Sequence, residues 1–113
     1  MSRRLERVAD QLRAEIARVL REEVADPRAR LVSVLRVDVS PDLHNAFVYW
    51  SRIETPGAPS LESVADGLES AAPFVRRHLA RALPLKRVPA LAFRHDPTLE
   101  LGDQTLALLR NLR

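Results

Sequence analysis

The stretch SLESVADGLESAAPFVRRHLARAL, residues 60–83, decides the fold. Leu61, Val64, Ala65, Leu68 and Ala72, then Val75 and Leu79, recur at three- and four-residue steps, which makes one apolar stripe on a helix. Ser60 stands where an N-cap belongs, its hydroxyl placed to accept from first-turn amides. Pro73 interrupts the pattern. It has no N–H to offer the carbonyl of Glu69, and its ring crowds that carbonyl, costing about 3 kcal/mol in a straight helix. The spacing therefore predicts two helices, over 60–72 and 73–83, that meet in a bend at Ala71-Ala72-Pro73, with Pro84 closing the second.

Upstream, residues 31–40 alternate Leu35, Val37 and Val39 with Arg36 and Asp38, the period of a half-buried strand. Ser40-Pro41-Asp42 and Asn45 mark a turn, and residues 46–53 are rich in aromatic and β-branched side chains, so the two strands form an antiparallel hairpin. Before them, Leu5, Val8, Leu12, Ile16, Val19 and Leu20 make an amphipathic helix over 3–25, which Asp26-Pro27 ends. Downstream, residues 89–95 read as a third strand, reached through a helix and so parallel to the strand it joins. Leu106, Leu109 and Leu112 predict a short terminal helix over 102–112. The order is α-β-β-α-(bend)-α-β. That is an α+β chain with helices on one face of a three-stranded sheet, a single domain over 1–113 with its core at about 4–100.

With 113 residues, 46% of them hydrophobic, the chain fills one core. The absence of cysteine excludes disulfides, thiolate nucleophiles and Cys-ligated metals. The opening residues carry charges every few positions with no apolar signal core, and no run approaches a membrane span, so a cytoplasmic chain is expected. His44, His78 and His95 lack metal-ligand spacing, and Gly57, Gly67 and Gly102 form no phosphate cradle. No serine has a neighbouring base, and Glu22, Glu23 and Asp96 read as surface or cap residues. No catalytic residue, metal or cofactor is expected; the chain reads as a non-enzyme.

The net charge is only +3, so the distribution of charge matters more than its sum. Of the 18 basic residues only Lys86 is lysine; the others are arginines, which fork onto phosphate and stack on bases. Arg76, Arg77, His78, Arg81, Lys86 and Arg87 lie in a stretch without any carboxylate between Glu69 and Asp96. Arg77 and Arg81, four apart, share a helix face. Such a stripe suits a phosphate backbone, whose counterions it releases; a solvated helix face would carry the same residues. Arg3, Arg4 and Arg7 are a second cationic cluster, with Glu6 and Asp10 near enough to pair with them. Phe47, Tyr49 and Trp50 could stack on bases or fill the core. Because Phe47 and Trp50 have opposite parity, at least one aromatic points away from the helices. A protein–protein adaptor using the basic helices or the hairpin edge is the alternative to an RNA-binding protein.

Several segments, in order, resemble the ribosome-binding factor A family of bacterial small-subunit maturation proteins. They are Arg7-Val8-Ala9-Asp10-Gln11-Leu12, Asp26-Pro27-Arg28, Val37-Asp38-Val39-Ser40-Pro41-Asp42-Leu43 and Ala46-Phe47-Val48-Tyr49, then Ser70-Ala71-Ala72-Pro73-Phe74-Val75-Arg76-Arg77-His78-Leu79, Val88-Pro89-Ala90-Leu91-Ala92-Phe93 and Asp96-Pro97-Thr98-Leu99-Glu100. The resemblance implies a type II KH-like fold of αββααβ order that lacks the GxxG grip loop and kinks at an Ala-x-Gly element. That element falls on Ala71, Ala72 and Pro73, with proline where the family has glycine. Proline bends a helix but cannot take the left-handed conformation open to glycine. The resemblance further implies a monomer that binds the free or precursor 30S subunit near the 5′ end and neck helices of 16S rRNA. It would assist late assembly and 5′-end processing, matter most in the cold, and leave before the subunits join.

Overall fold

A computed structural model of the chain describes residues 3–53 and 55–97. The first helix, α1 (Arg3–Glu22), buries Leu12, Ile16, Val19 and Leu20, the stripe its sequence spacing requires. It stops earlier than expected: the amides of Glu23 and Val24 both donate to the Val19 carbonyl, at 2.9 and 3.0 Å, and the chain leaves the helix there. A 3-10 helix that periodicity did not reveal, Pro27–Leu31, follows. Asp26 caps it, accepting from the amide of Arg28 at 3.0 Å. Proline takes the first-turn position, where its missing N–H costs nothing.

The hairpin consists of β1 (Val32–Val39) and β2 (Asn45–Arg52), antiparallel, with a bulge between Val34 and Arg36. Its turn is closed by Ser40, whose hydroxyl donates to Asp42 at 2.6 Å and accepts from the Asn45 amide at 3.0 Å. After the helix α2 (Leu61–Ala82) the chain returns as β3 (Ala90–His95), parallel to β2, in the sheet order β1-β2-β3. Ala46, Val48 and Trp50 of β2 meet Leu12, Ile16 and Val19 of α1 and Val64, Leu68, Val75 and Leu79 of α2 in one core. Trp50, 1% exposed, is its largest member and lies against the ring of His95 at 4.9 Å between centroids. Both helices therefore cover the same face of the sheet.

Helix α2 corrects one expectation. It runs unbroken from Leu61 to Ala82 with Pro73 inside it, so the two predicted helices are two segments of one element. Counted separately, as the family order counts them, they complete αββααβ. Magnitudes explain why the helix continues through the proline. Burying Val75 and Leu79 beyond it stabilises by about 1.5–3 kcal/mol each, which offsets a proline cost of about 3 kcal/mol. Pro73 itself is exposed, while Ala71 before it is buried. The short helix expected over 102–112 lies outside the described residues.

Arg28 ties the 3-10 helix to α2. Its guanidinium forks onto Asp26, with Nη2 to Oδ2 at 2.6 Å, and Nη1 donates to the Ser63 carbonyl at 3.0 Å. The bonds from Arg28 hold the Asp26 carboxyl below its usual range. The side chain crosses Gly67, where an added Cβ would sit 3.0 Å from Arg28 Nε. We expect Gly67→Ala to be neutral or destabilising in the native chain. In an Arg28→Ala background it should recover the helix-propensity gain of about 1 kcal/mol. Urea unfolding followed by Trp50 fluorescence checks both; equal effects in the two backgrounds would refute the contact.

Candidate nucleic-acid interface

Three contacts bring the predicted cations to one end of the molecule. A parallel β2–α2–β3 crossover must start β3 at the end where β2 starts, and Asn45 is indeed paired with Ala90. The last turns of α2 arrive at that end, because Arg76 donates from Nε to the Pro89 carbonyl at 3.1 Å and from Nη2 to the Val88 carbonyl at 3.0 Å. The hairpin turn joins them through His44, whose Nε2 lies 2.6 Å from Arg87 Nη1. This contact needs that ring nitrogen unprotonated to accept. The first turns of α1 reach the same end, where Leu5, Glu6, Ala9 and Asp10 line a groove with Val37, Val39 and Pro41.

Arg3, Arg4, Arg7, Arg77, Arg81, Lys86 and Arg87 are exposed there. Among the described residues no carboxylate pairs with any of them. Arg18 shows the contrast: three glutamates, Glu15, Glu23 and Glu22, surround it and raise its pKa. Glu6 and Asp10, close in sequence to the N-terminal arginines, form no ion pair with them among the described residues. Arg76 has a different use from its neighbours. Two of its nitrogens are committed to carbonyls, so it positions the strand-leading loop, whereas Arg77 and Arg81 make no such bond among the described residues. Sequence spacing could not separate these three, since the carbonyls of Val88 and Pro89 are contacts made only in the folded chain. Cations in the last turn also favour the helix C-terminus, which accounts for Arg81 on structural grounds alone.

The aromatics divide as parity requires. Trp50 is core; Phe47 and Tyr49 are half-buried on the outer face of the sheet, so two of the three rings, more than the core reading expected, point away from the helices. Neither ring is bare. The guanidinium of Arg36 lies 3.9 Å from the Tyr49 centroid, and that of Arg94 lies 5.2 Å from the Phe47 centroid. Arg36 also reaches Asp96 at 3.3 Å, which partly neutralises this face. Among the described residues no three His, Asp or Glu side chains gather as metal donors, and no helix is long and apolar enough to cross a membrane.

A helix, a hairpin, a proline-bearing central helix and a parallel third strand, with no glycine grip loop, define a type II KH-like domain. Residues 4–109 match the family model described as ribosome-binding factor A, and the chain belongs to that family. The ribosome-binding factor A of Synechocystis sp. is 42% identical over 98% of this chain and 84% of that protein. The Pseudomonas entomophila protein is 39% identical over 94% of this chain and 80% of its own length. Among solved structures, the crystal structure of ribosome-binding factor A from Thermus thermophilus superposes with a TM-score of 0.70 at 25% identity, covering 80% of this chain and 94% of that one. A homology model of the Thermus thermophilus protein, fitted into a cryo-EM map of a 30S complex, gives 0.65 at 26% identity, covering 79% and 91%.

Two outcomes check the geometry. Arg76→Met should destabilise by about 1 kcal/mol, while Arg77→Ala and Arg81→Ala stay within about 0.5 kcal/mol of the native chain in urea melts. Asp42, accepting from the Ser40 hydroxyl and the His44 amide, is held below its usual value of 3.8. A depressed carboxyl contributes stability above its unfolded pKa and loses it as pH falls through the folded value. The native chain should therefore lose stability more steeply than Asp42→Asn below about pH 4 in thermal melts across pH.

Proposed function

We propose that this protein is a non-catalytic maturation factor of the small ribosomal subunit, a single RNA-binding domain over 1–113 that grips 16S rRNA of the free or precursor 30S particle. One observation carries the reading: Arg77, Arg81, Lys86 and Arg87 gather at one end of the fold without a carboxylate partner among the described residues. Unpaired cations remain hydrated until a polyanion binds them and sheds its condensed counterions into solution. Family membership, and the 30S complex in which a Thermus relative was fitted, support ribosomal RNA as that polyanion. Arg3, Arg4 and Arg7 extend the contact, and Arg76 holds the loop that presents Lys86 and Arg87.

At Ala71-Ala72-Pro73 the proline is exposed within a continuous helix, so the chain presents a ring there instead of the open backbone of a glycine. Close backbone approach to RNA at that point is not part of the proposed contact. The factor assists late assembly and 5′-end processing by shaping RNA, acts in the cytoplasm as a monomer, and matters most in the cold, where misfolded RNA is slow to rearrange.

In a sucrose gradient the native protein should co-migrate with 30S particles and not with 70S. Replacing Arg77, Arg81 and Arg87 together with glutamate should move it to the top, with the melting temperature lowered only modestly by loss of the His44 contact and by acid at the helix C-terminus. If about four phosphates are contacted, affinity for 30S should fall roughly 100-fold between about 50 and 200 mM salt. Binding that ignores both salt and charge reversal would instead favour a protein adaptor.

A further inference from the structure

One residue of the hairpin turn meets the cationic end with a ring instead of a fixed charge. His44 is exposed between β1 and β2, and its Nε2 lies 2.6 Å from Arg87 Nη1. A guanidinium only donates, so Nε2 is the accepting nitrogen and the ring is neutral in this arrangement. The tautomer follows: the proton sits on Nδ1, which faces Asp42 Oδ2 at 3.6 Å. Asp42 is a carboxylate at neutral pH, because the Ser40 hydroxyl and the His44 amide hold its carboxyl below the ordinary value of 3.8.

Both partners are held in place. The His44 carbonyl accepts from the Ala90 amide at 2.8 Å, which ties the turn to the start of β3. Arg87 stands two residues before the buried Pro89, and Arg76 grips the carbonyls of Val88 and Pro89. Among the described residues, Arg87 and Asp42 are the charged groups in contact with the ring. β3 meets residue 44 through a neutral amide, and α1 faces the turn across the groove at Pro41, with Glu6 and Asp10. A cation therefore sits at one ring nitrogen and an anion at the other.

In the free protein a proton on Nε2 would break the bond from Arg87 and bring two cations together. A phosphate at Arg87 removes that obstacle, since it balances the guanidinium and offers oxygens to both groups. A protonated imidazole donates from both nitrogens. Nε2 then turns from accepting Arg87 to donating to the phosphate, while Nδ1 keeps facing Asp42.

We propose that His44 and Arg87 form a phosphate subsite of the cationic end, and that RNA occupying it takes up one proton from solvent onto His44 Nε2. The proposal rests on the RNA reading and deepens it, because pH as well as salt then sets affinity. The state that binds more protons gains as pH falls, so the complex strengthens between about pH 8 and about pH 6, where imidazoles titrate. A ring that served only to aim Arg87 would give the opposite sign, since protonation would release the guanidinium.

Affinity of the full chain for purified 30S subunits, measured by pelleting at constant ionic strength, separates the two signs. The native chain should bind about tenfold tighter at about pH 6 than at about pH 8. His44→Gln keeps an acceptor for Arg87 but has no charge to gain, so its affinity should change by less than about twofold. His44→Lys carries the charge permanently and should bind at the higher pH about as tightly as the native chain does at the lower. His78→Gln, which removes the imidazole beside Phe74 on α2, should leave the native pH dependence in place. Native affinity that is flat or weakens as pH falls would overturn the proposal, as would a tenfold dependence that survives in His44→Gln. The RNA reading outlives either result if Arg77→Glu/Arg81→Glu still abolishes binding. A native chain that binds no 30S subunit at any pH removes both.

Discussion

The parallel pairing of β3 with β2 constrains everything else in this molecule. Adjacent parallel strands start at the same end of a sheet, so the chain must travel back across one face before β3 can begin. Helix α2 makes that return over the inner face of the sheet. Its last turns, the loop to β3 and the β1–β2 turn therefore converge. Arg76 fixes the convergence through the Val88 and Pro89 carbonyls, and Pro89 itself is fully buried. The cationic end follows from topology before any question of ligand arises.

Pro73 shows how tertiary burial overrides local preference. A proline in a helix interior removes one hydrogen bond and crowds a carbonyl, yet α2 continues because Leu68 and Ala71 before it, and Val75 and Leu79 after it, are buried in the same core. A helix anchored on both sides of a fault retains the fault. The proline lies on the exposed side, away from the sheet, where it costs no core packing.

The end of the fold that gathers the arginines also places acid beside them without joining the two. Elsewhere the chain pairs its charges readily, as Arg18 and Arg28 demonstrate. Leaving Arg77, Arg81, Glu6 and Asp10 without an ion pair among the described residues forgoes only modest stability at exposed positions. It keeps the guanidinium groups of that end open to solvent, as the proposed RNA contact requires.

By itself, the sequence settled the order of elements, the antiparallel hairpin, the parallel third strand and the opposite orientation of Phe47 and Trp50. Each follows from a local period or from the parity of a strand. It also located the acid-free cationic stretch, since absent carboxylates can be counted along a chain. It missed the 3-10 helix after Asp26, whose five residues are too few to establish a period, and it divided α2 at a proline that burial carries through. Only the tertiary structure separated Arg76 from Arg77 and Arg81, sent Tyr49 outward beneath Arg36, and set Glu6 and Asp10 beside the Val37–Val39 stretch of β1. Those assignments depend on partners distant in sequence, and a period within one segment carries no information about what the neighbouring segment presents to it.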